Sequence, residues 1–299
     1  LFLVIYVDDF KLSGPKESLP EGWKLLRKGI DTDDPHPVGV FLGCRHVFAE
    51  RVSPWSGRPV RALEYDMSDF LAACIVSYRE LTGCAPLRPA STPFLEDVDK
   101  VERVADTTAT PPSGDPVASS DGKTAELSNV AARVLMKLLY AARVCRYDLL
   151  QSIGRLASFI TRWDAHCDKM LHRLMCYVQG SLHLRCVGWV GDAPCDVGIH
   201  LYADADFAGC KRTGRSTSGV FFCVAGPDTF FPLQGASRKQ TAVSHSTPEA
   251  EIVAADYGLR TVGIPAMDLW DVLLERDVVL VVHDDNSAMI QVCRTGKNP

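Results

Sequence analysis

The sequence predicts an α/β protein whose last part, residues 186–299, is a mixed-sheet domain with flanking helices. Three observations carry this. Three strand-like runs, VGIHLYADADFAG, STSGVFFCVAG and TFFPLQGASRKQTAV, follow one another with Gly, Asp and Pro between them. A helix, a β-branched strand and another helix come next, an order that builds a sheet with helices against it. Upstream, at 126–180, apolar residues recur at three- and four-residue steps, the period of helices.

Taken in order, residues 1–95 mix short strands and turns. Residues 4–9 and 10–13 read as the arms of a hairpin, 38–44 and 45–52 as strand-like segments, and 67–81 as a helix. Residues 96–124 are rich in Pro, Ser, Thr, Gly and Asp and are predicted to be a flexible linker, because such a composition buries too little apolar surface to order itself. Three apolar sets define a helical connection at 125–185: Val130, Val134, Leu138, Leu139 and Ala142; Leu149, Ile153, Leu156, Phe159 and Ile160; Met170, Leu174, Tyr177 and Val178. In the last domain a helix is expected at 249–260, with Thr247 as its N-cap and Pro248 at its first position. Residues 264–275 follow as helix. The β-branched run 278–282 reads as a buried central strand, and Ser287 can open a last helix.

The 299 residues, 46% hydrophobic and 23% charged, suit a globular protein of two ordinary domains. The apolar start at 1–6 is far shorter than the ~20 residues of a membrane span. It lacks the basic start and cleavage site of a signal peptide, so the chain is expected to begin inside a fold. Eleven Cys without a CxxC pair read as reduced, apolar thiols of an intracellular protein. Net charge is −5, but its distribution says more. Residues 96–122 hold seven acids and two bases, whereas 127–185 hold nine Lys or Arg and three Asp. A basic stripe is the expected footprint of phosphate binding; a solvated helix surface is the alternative.

The chemistry concentrates in the last third. Period-2 alternation puts Tyr202, Asp204 and Asp206 on one face of a strand. Glu251 falls in the first turn of the next helix, and Asp285 stands at the end of the next apolar strand. Each acid alone has a structural explanation, such as a carboxylate favouring a helix N-terminus. Brought together they would repel one another, and a pair of divalent cations ~4 Å apart resolves that repulsion while activating water against a phosphodiester. The Asp204-x-Asp206 pair also matches a glycosyltransferase motif too short to compete.

YADADFAG, RSTSGVFF, SRKQTAVSHSTPEAEIVAA and HDDNSAMI together resemble the ribonuclease H domain of copia-type retrotransposon polyproteins. The resemblance implies Asp204, Glu251 and Asp285 as catalytic metal ligands, with Mg²⁺ or Mn²⁺ in a two-metal site. Asp284 is the alternative if the register slips by one residue, and Glu251 is preferred to Glu249 because it lies one turn into the helix. Pro248 departs from the family pattern in a way that suits a helix start. The family's fourth acid is expected downstream of Pro299. Lys211, Arg212 and Arg215 after the first strand, and Arg238 and Lys239 near the end of the third, are candidate phosphate contacts.

Ile5-Tyr6-Val7-Asp8-Asp9 resembles the Tyr-x-Asp-Asp hairpin of reverse transcriptases, whose paired acids bind metal. Phe41-Leu42-Gly43-Cys44 and Ser91-Thr92-Pro93-Phe94 resemble further landmarks of that family. Residues 1–95 are therefore expected to be a partial polymerase palm and following region. Its third Asp would lie upstream of Leu1, so no DNA synthesis is expected from this chain. The resemblance implies RNA–DNA hybrid, RNA template, DNA and the rest of the Pol polyprotein as partners, no membrane, and a cytoplasmic virus-like particle or the nucleus as location. The competing expectation is a degenerate relic that folds, with or without binding nucleic acid, and catalyses nothing.

Overall fold

The computed structural model describes residues 1–84, 86–95 and 125–297; the predicted linker at 96–124 lies outside them. A hairpin comes first. β1 (Phe2–Tyr6) and β2 (Asp9–Ser13) pair antiparallel from Tyr6↔Asp9 to Phe2↔Ser13. The turn is therefore Val7-Asp8, with Val7 in the left-handed region (φ 55), and Asp9 opens the second arm rather than closing the first. α1 (Leu19–Leu26) is an addition to the predicted elements.

The second sheet has eight strands. β3 (Val40–Phe41), β4 (Cys44–Val52) and β5 (Pro59–Asp66) come from the first part of the chain. β6 (Cys186–Val190), β7 (Gly198–Cys210), β8 (Arg215–Gly226), β9 (Thr229–Lys239) and β10 (Leu280–His283) come from the last. Their order is β10-β7-β8-β9-β6-β5-β4-β3, with β10 parallel to β7 and every other pair antiparallel. β5 and β6 were not among the predicted strands. They join the two ends of the chain in one sheet, although β6 meets β9 through the single pair Trp189↔Phe230.

The helical connection forms as α3 (Ser128–Val144), α4 (Leu150–Ala157) and α5 (Ala165–Gly180). With α2 (Ser68–Thr82) they close one core around Leu135, Leu138, Ile153, Leu171 and Leu174, against Cys44, Tyr65 and Cys186 of the sheet. Leu138, Ile153 and Leu174, three of the residues that predicted these helices, are fully buried.

A second core lies where α6 (Thr247–Gly258) and α7 (Ile264–Leu274) cover Ile199, Leu201, Val220, Phe222 and Val224. The two helices run on through a π-helical turn, Leu259–Gly263. Pro265 supplies a reason: without an N–H it cannot continue the i−4 ladder, and widened turns arise where that ladder is broken. Gly258 and Gly263 let this stretch approach the sheet. A Cβ at Gly263 would stand 2.6 Å from Leu280, and one at Gly258 3.3 Å from Leu201 and Val220.

The run 278–282 needs correcting. Val278 is buried, but Val279 is 72% exposed and β10 pairs only with β7 among the described residues. It is an edge strand. A β-branched run reports strand propensity and leaves open how many neighbours the strand has. All eleven cysteines are free. No helix among the described residues is long and apolar enough to cross a membrane.

Candidate metal centre

Asp204 sits mid-strand in β7, alternating with buried Ala203 and Ala205, and its own side chain is exposed. The parallel pairing of β10 with β7 ends at His283↔Tyr202. Two residues further, the chain leaving β10 is level with Asp204 and carries Asp285. Asn286 then caps α8 (Ser287–Thr295), its side chain accepting from Met289 N at 2.9 Å. Met289 packs under the site with Ala203, Ala205, Ala250 and Ala254.

Those alanines bring α6 close to β7, and so bring Glu251 to the carboxylates. The helix start is fixed from two sides. Gln240 donates to Ser218 Oγ at 3.1 Å and to the Ala250 carbonyl at 2.9 Å, tying α6 to the sheet. The N-cap is Ser246, which accepts from Glu249 N, while the Glu249 carboxylate accepts from His245 N at 2.8 Å. Thr247 is therefore the first helical residue and Pro248 the second. The Ser246-x-x-Glu249 spacing is the capping-box pattern, a sequence signal stronger than the one that pointed to Thr247. Glu249 faces out, and Glu251 is 3% exposed.

Asp204, Glu251 and Asp285 each offer a carboxylate oxygen within 4.8 Å of the others, the one such three-residue grouping among the described residues. The cluster is electrostatically strained. Burial pushes the Glu251 carboxyl up to about 7, and the charges of Asp284, Asp204 and Asp285 add to it against a backbone hydrogen bond from Ala205. Burial likewise raises Asp284, reinforced by Asp285 and Asp204 and opposed by the Asn286 N–H. Glu251 Oε2 and Asp284 Oδ2 are both buried without a hydrogen-bond partner. Asp284 spends its other oxygen on Asn286 N at 2.9 Å. It thus influences Glu251 more than Asp285 does, while the exposed Asp285 is the one that joins the group. Two orphaned carboxylate oxygens beside two exposed carboxylates fit a divalent cation of hard, oxygen-ligated character.

The other candidates lie apart. Asp8 and Asp9 are exposed at the hairpin tip and join no such group among the described residues. Lys211, Arg212 and Arg215 are exposed around the turn between β7 and β8. Lys239 lies opposite Thr217 in the next strand and donates to Cys210 Sγ at 2.6 Å, which places it beside that turn. Arg238 stands over the Tyr257 ring, 5.2 Å from its centroid. Sequence reasoning assigned nothing to His200 and His283, yet His283 adjoins the acids and its ring stacks on Tyr202.

Comparison with known proteins agrees with the resemblance to retrotransposon Pol polyproteins. The chain is 24% identical over 256 residues to the retrovirus-related Pol polyprotein from transposon TNT 1-94 of Nicotiana tabacum, covering 85% of this chain and 17% of that protein. It is 23% identical over 252 residues to the corresponding polyprotein from transposon RE1 of Arabidopsis thaliana, covering 84% of this chain and 14% of that protein. The chain is a relative of copia-type retrotransposon Pol polyproteins. This Pol-related chain spans about a sixth of the length of those relatives. No protein-family model matches it, and no solved structure does.

Proposed function

We propose that this chain carries a ribonuclease H-like centre that hydrolyses the RNA strand of RNA–DNA hybrids with Mg²⁺ or Mn²⁺. The observation that carries this reading is the meeting of Asp204, Glu251 and Asp285 within 4.8 Å from a strand, a helix and a strand end. Three further points support it. The motif resemblance names the same three residues. The two relatives are Pol polyproteins by name. The order β10-β7-β8-β9, with α6 between β9 and β10, is the mixed sheet expected of such a domain.

Asp204 on β7 and Asp285 just past the end of the adjacent β10, both exposed, are the residues to hold the cations. Bound there, divalent cations supply neutralisation of the scissile phosphate and of the leaving oxygen. Glu251 reaches the same point from α6 and ligates or orients the attacking water. Lys211, Arg212, Arg215 and Lys239, grouped about the β7–β8 turn, and Arg238 on the third strand would meet phosphates and so position the hybrid without reading its sequence. Asp8 and Asp9 belong, in this reading, to the RNA-directed DNA polymerase centre of the longer protein, which works on RNA template and DNA.

The test is cleavage of an end-labelled RNA–DNA hybrid in Mg²⁺ or Mn²⁺ by the chain and by Asp204→Asn. Cleavage that disappears in the variant supports the reading. Cleavage that survives it refutes the assignment. Metal and hybrid binding without any cleavage, in the chain alone and with downstream Pol sequence joined to it, would favour the inactive relic.

A further inference from the structure

A cavity apart from the carboxylates has no part in the nuclease reading. It measures about 650 Å³ and lies between α2, the segment 86–95 and α5, within the size range of small-molecule sites. None of its lining residues belongs to the group of Asp204, Glu251 and Asp285.

Its walls are set by packing. Residues 89–92 run alongside α5 in the opposite direction. Pro89 abuts Gly180, Ala90 donates its N–H to the Cys176 carbonyl at 3.2 Å, and Thr92 accepts from Arg173. Gly180 permits the approach, since a Cβ there would stand 3.0 Å from the Pro89 Cβ. Opposite, Tyr78 of α2 is 1% exposed, and its hydroxyl meets His172 Nδ1 at 3.3 Å. That contact anchors the His172 ring and leaves Nε2 for an occupant.

The lining is cationic. Lys169, His172 and Arg173 fall at i, i+3 and i+4 on α5, which puts them on one face of the helix. Arg88 joins them from the segment 86–95. Among the described residues, Arg88, Lys169 and Arg173 form no ion pair. Lys169 and Arg173 are a like-charge pair at i, i+4, which destabilises a helix. Neutral groups alone hold Arg173: its Nε donates to the Thr92 carbonyl at 2.9 Å and its Nη2 to Thr92 Oγ1 at 2.8 Å. Its charge is fixed in place and uncompensated. Of the two acids on the rim, Asp168 spends its oxygens on Glu126 N at 2.8 Å, Leu127 N at 3.3 Å and Trp163 Nε1 at 2.6 Å. Glu126 is exposed.

One multiply charged anion relieves this repulsion better than a carboxylate does. A phosphate monoester carries about −1.5 to −2 at neutral pH and has three acceptor oxygens, which suit an Arg fork, an ammonium and an imidazole N–H. Pro89, Ala90, Leu95 and Leu127 add apolar lining, so there is room beside the phosphate for an uncharged body.

We propose that this cavity binds a phosphate monoester of nucleotide size, with its phosphate between Arg88, Lys169 and Arg173. The proposal stands independently of the nuclease reading. Two sources carry this chemistry: a free nucleotide, and the terminal phosphate of an RNA strand.

The experiment is isothermal titration calorimetry of the full chain in EDTA, which keeps divalent cations from the carboxylates. The ligands are adenosine 5′-monophosphate, adenosine, and a short oligoribonucleotide with and without a 5′-phosphate. The expected result is saturable binding of the phosphorylated ligands and none of their phosphate-free counterparts, the tighter of the two naming the source. Lys169→Met and Arg88→Met, both at exposed positions, should melt like the parent. Each should bind about tenfold more weakly, the size of one lost charge-assisted hydrogen bond. Asp204→Asn should bind like the parent. Equal affinity with and without the phosphate, affinity unchanged in Lys169→Met and Arg88→Met, or no binding at all would overturn the proposal. Binding lost in Asp204→Asn would place the ligand at the carboxylates and overturn it as well.

Discussion

Asp8–Asp9 and Asp284–Asp285 are the same dipeptide at the end of an apolar strand, and their surroundings set them apart. The first pair stands at the tip of a two-stranded sheet, exposed, with no third acid grouped with it among the described residues. The second follows a strand paired in parallel with β7, so that one residue comes level with Asp204, and a helix resting on alanines brings in Glu251 from the other side. The chemistry of a carboxylate pair therefore depends on whether the fold adds a third acid. It also depends on whether one member is buried deeply enough to need a cation, as Glu251 is and the hairpin acids are not.

The largest expected effect tests the assembled cluster directly. Asp204→Asn and Glu251→Gln should each lower hybrid cleavage by roughly 100-fold or more, the scale of a lost catalytic group. Asp8→Asn and Asp9→Asn should leave it within about twofold, small on that scale. Equal losses at both ends of the molecule would dissolve the contrast.

Stability should separate the regions next. The unfolded chain releases the Glu251 proton near 4.5, while the folded chain, crowded by burial and by Asp284, Asp204 and Asp285, holds it until about 7. Folding then binds a proton in that window, so without divalent cations the stability falls as pH rises from 4.5 to about 7. Thermal melts in EDTA across this range should show the fall, and Glu251→Gln should flatten it. Mg²⁺ at 100 times its Kd should add about 2.7 kcal/mol to the parent and nearly nothing to that variant. A parent melt unaffected by pH and Mg²⁺ would argue against a strained cluster.

A smaller effect concerns the margin of the site. Burial alone would raise the Cys210 thiol, yet the Lys239 ammonium and Thr213 bring it down to about 7. At pH 7 Cys210 should therefore carry more thiolate and alkylate faster than the exposed Cys195 and Cys293. Lys239→Met should slow it to their rate, as followed by peptide mass spectrometry. Unchanged alkylation in the variant would mean that Lys239 does not face the thiol in solution, and would weaken its placement beside the β7–β8 turn.

Much of this was legible in the sequence because it rests on local pattern. Alternation announced β7, β8 and β9, and the 3.6-residue period announced α3 to α5 through Leu138, Ile153 and Leu174. Asp204, Glu251 and Asp285 were identified through ordered motifs, where any single acid would have been ambiguous. What escaped rests on non-local pairing. β5 closes a hairpin with β4, but its join to β6, through pairs such as Tyr65↔Cys186, is one that nothing within either segment advertises, the partners being so distant in sequence. The edge position of β10 escaped for the same reason, since Val281 and Val282 look alike in a central and an edge strand. The weight of Asp284 was hidden because its influence on Glu251 depends on burial in three dimensions.

The central claim is that the fold builds one cation site from β7, α6 and the end of β10. Titration of Mn²⁺ followed by electron paramagnetic resonance tests it most directly, on the parent chain, Asp204→Asn, Glu251→Gln and the double variant Asp8→Asn/Asp9→Asn. The account predicts saturable binding in the parent and in the hairpin variant, and its loss in both cluster variants. Binding that persists when Asp204 and Glu251 are replaced, or that disappears with Asp8 and Asp9, would contradict it.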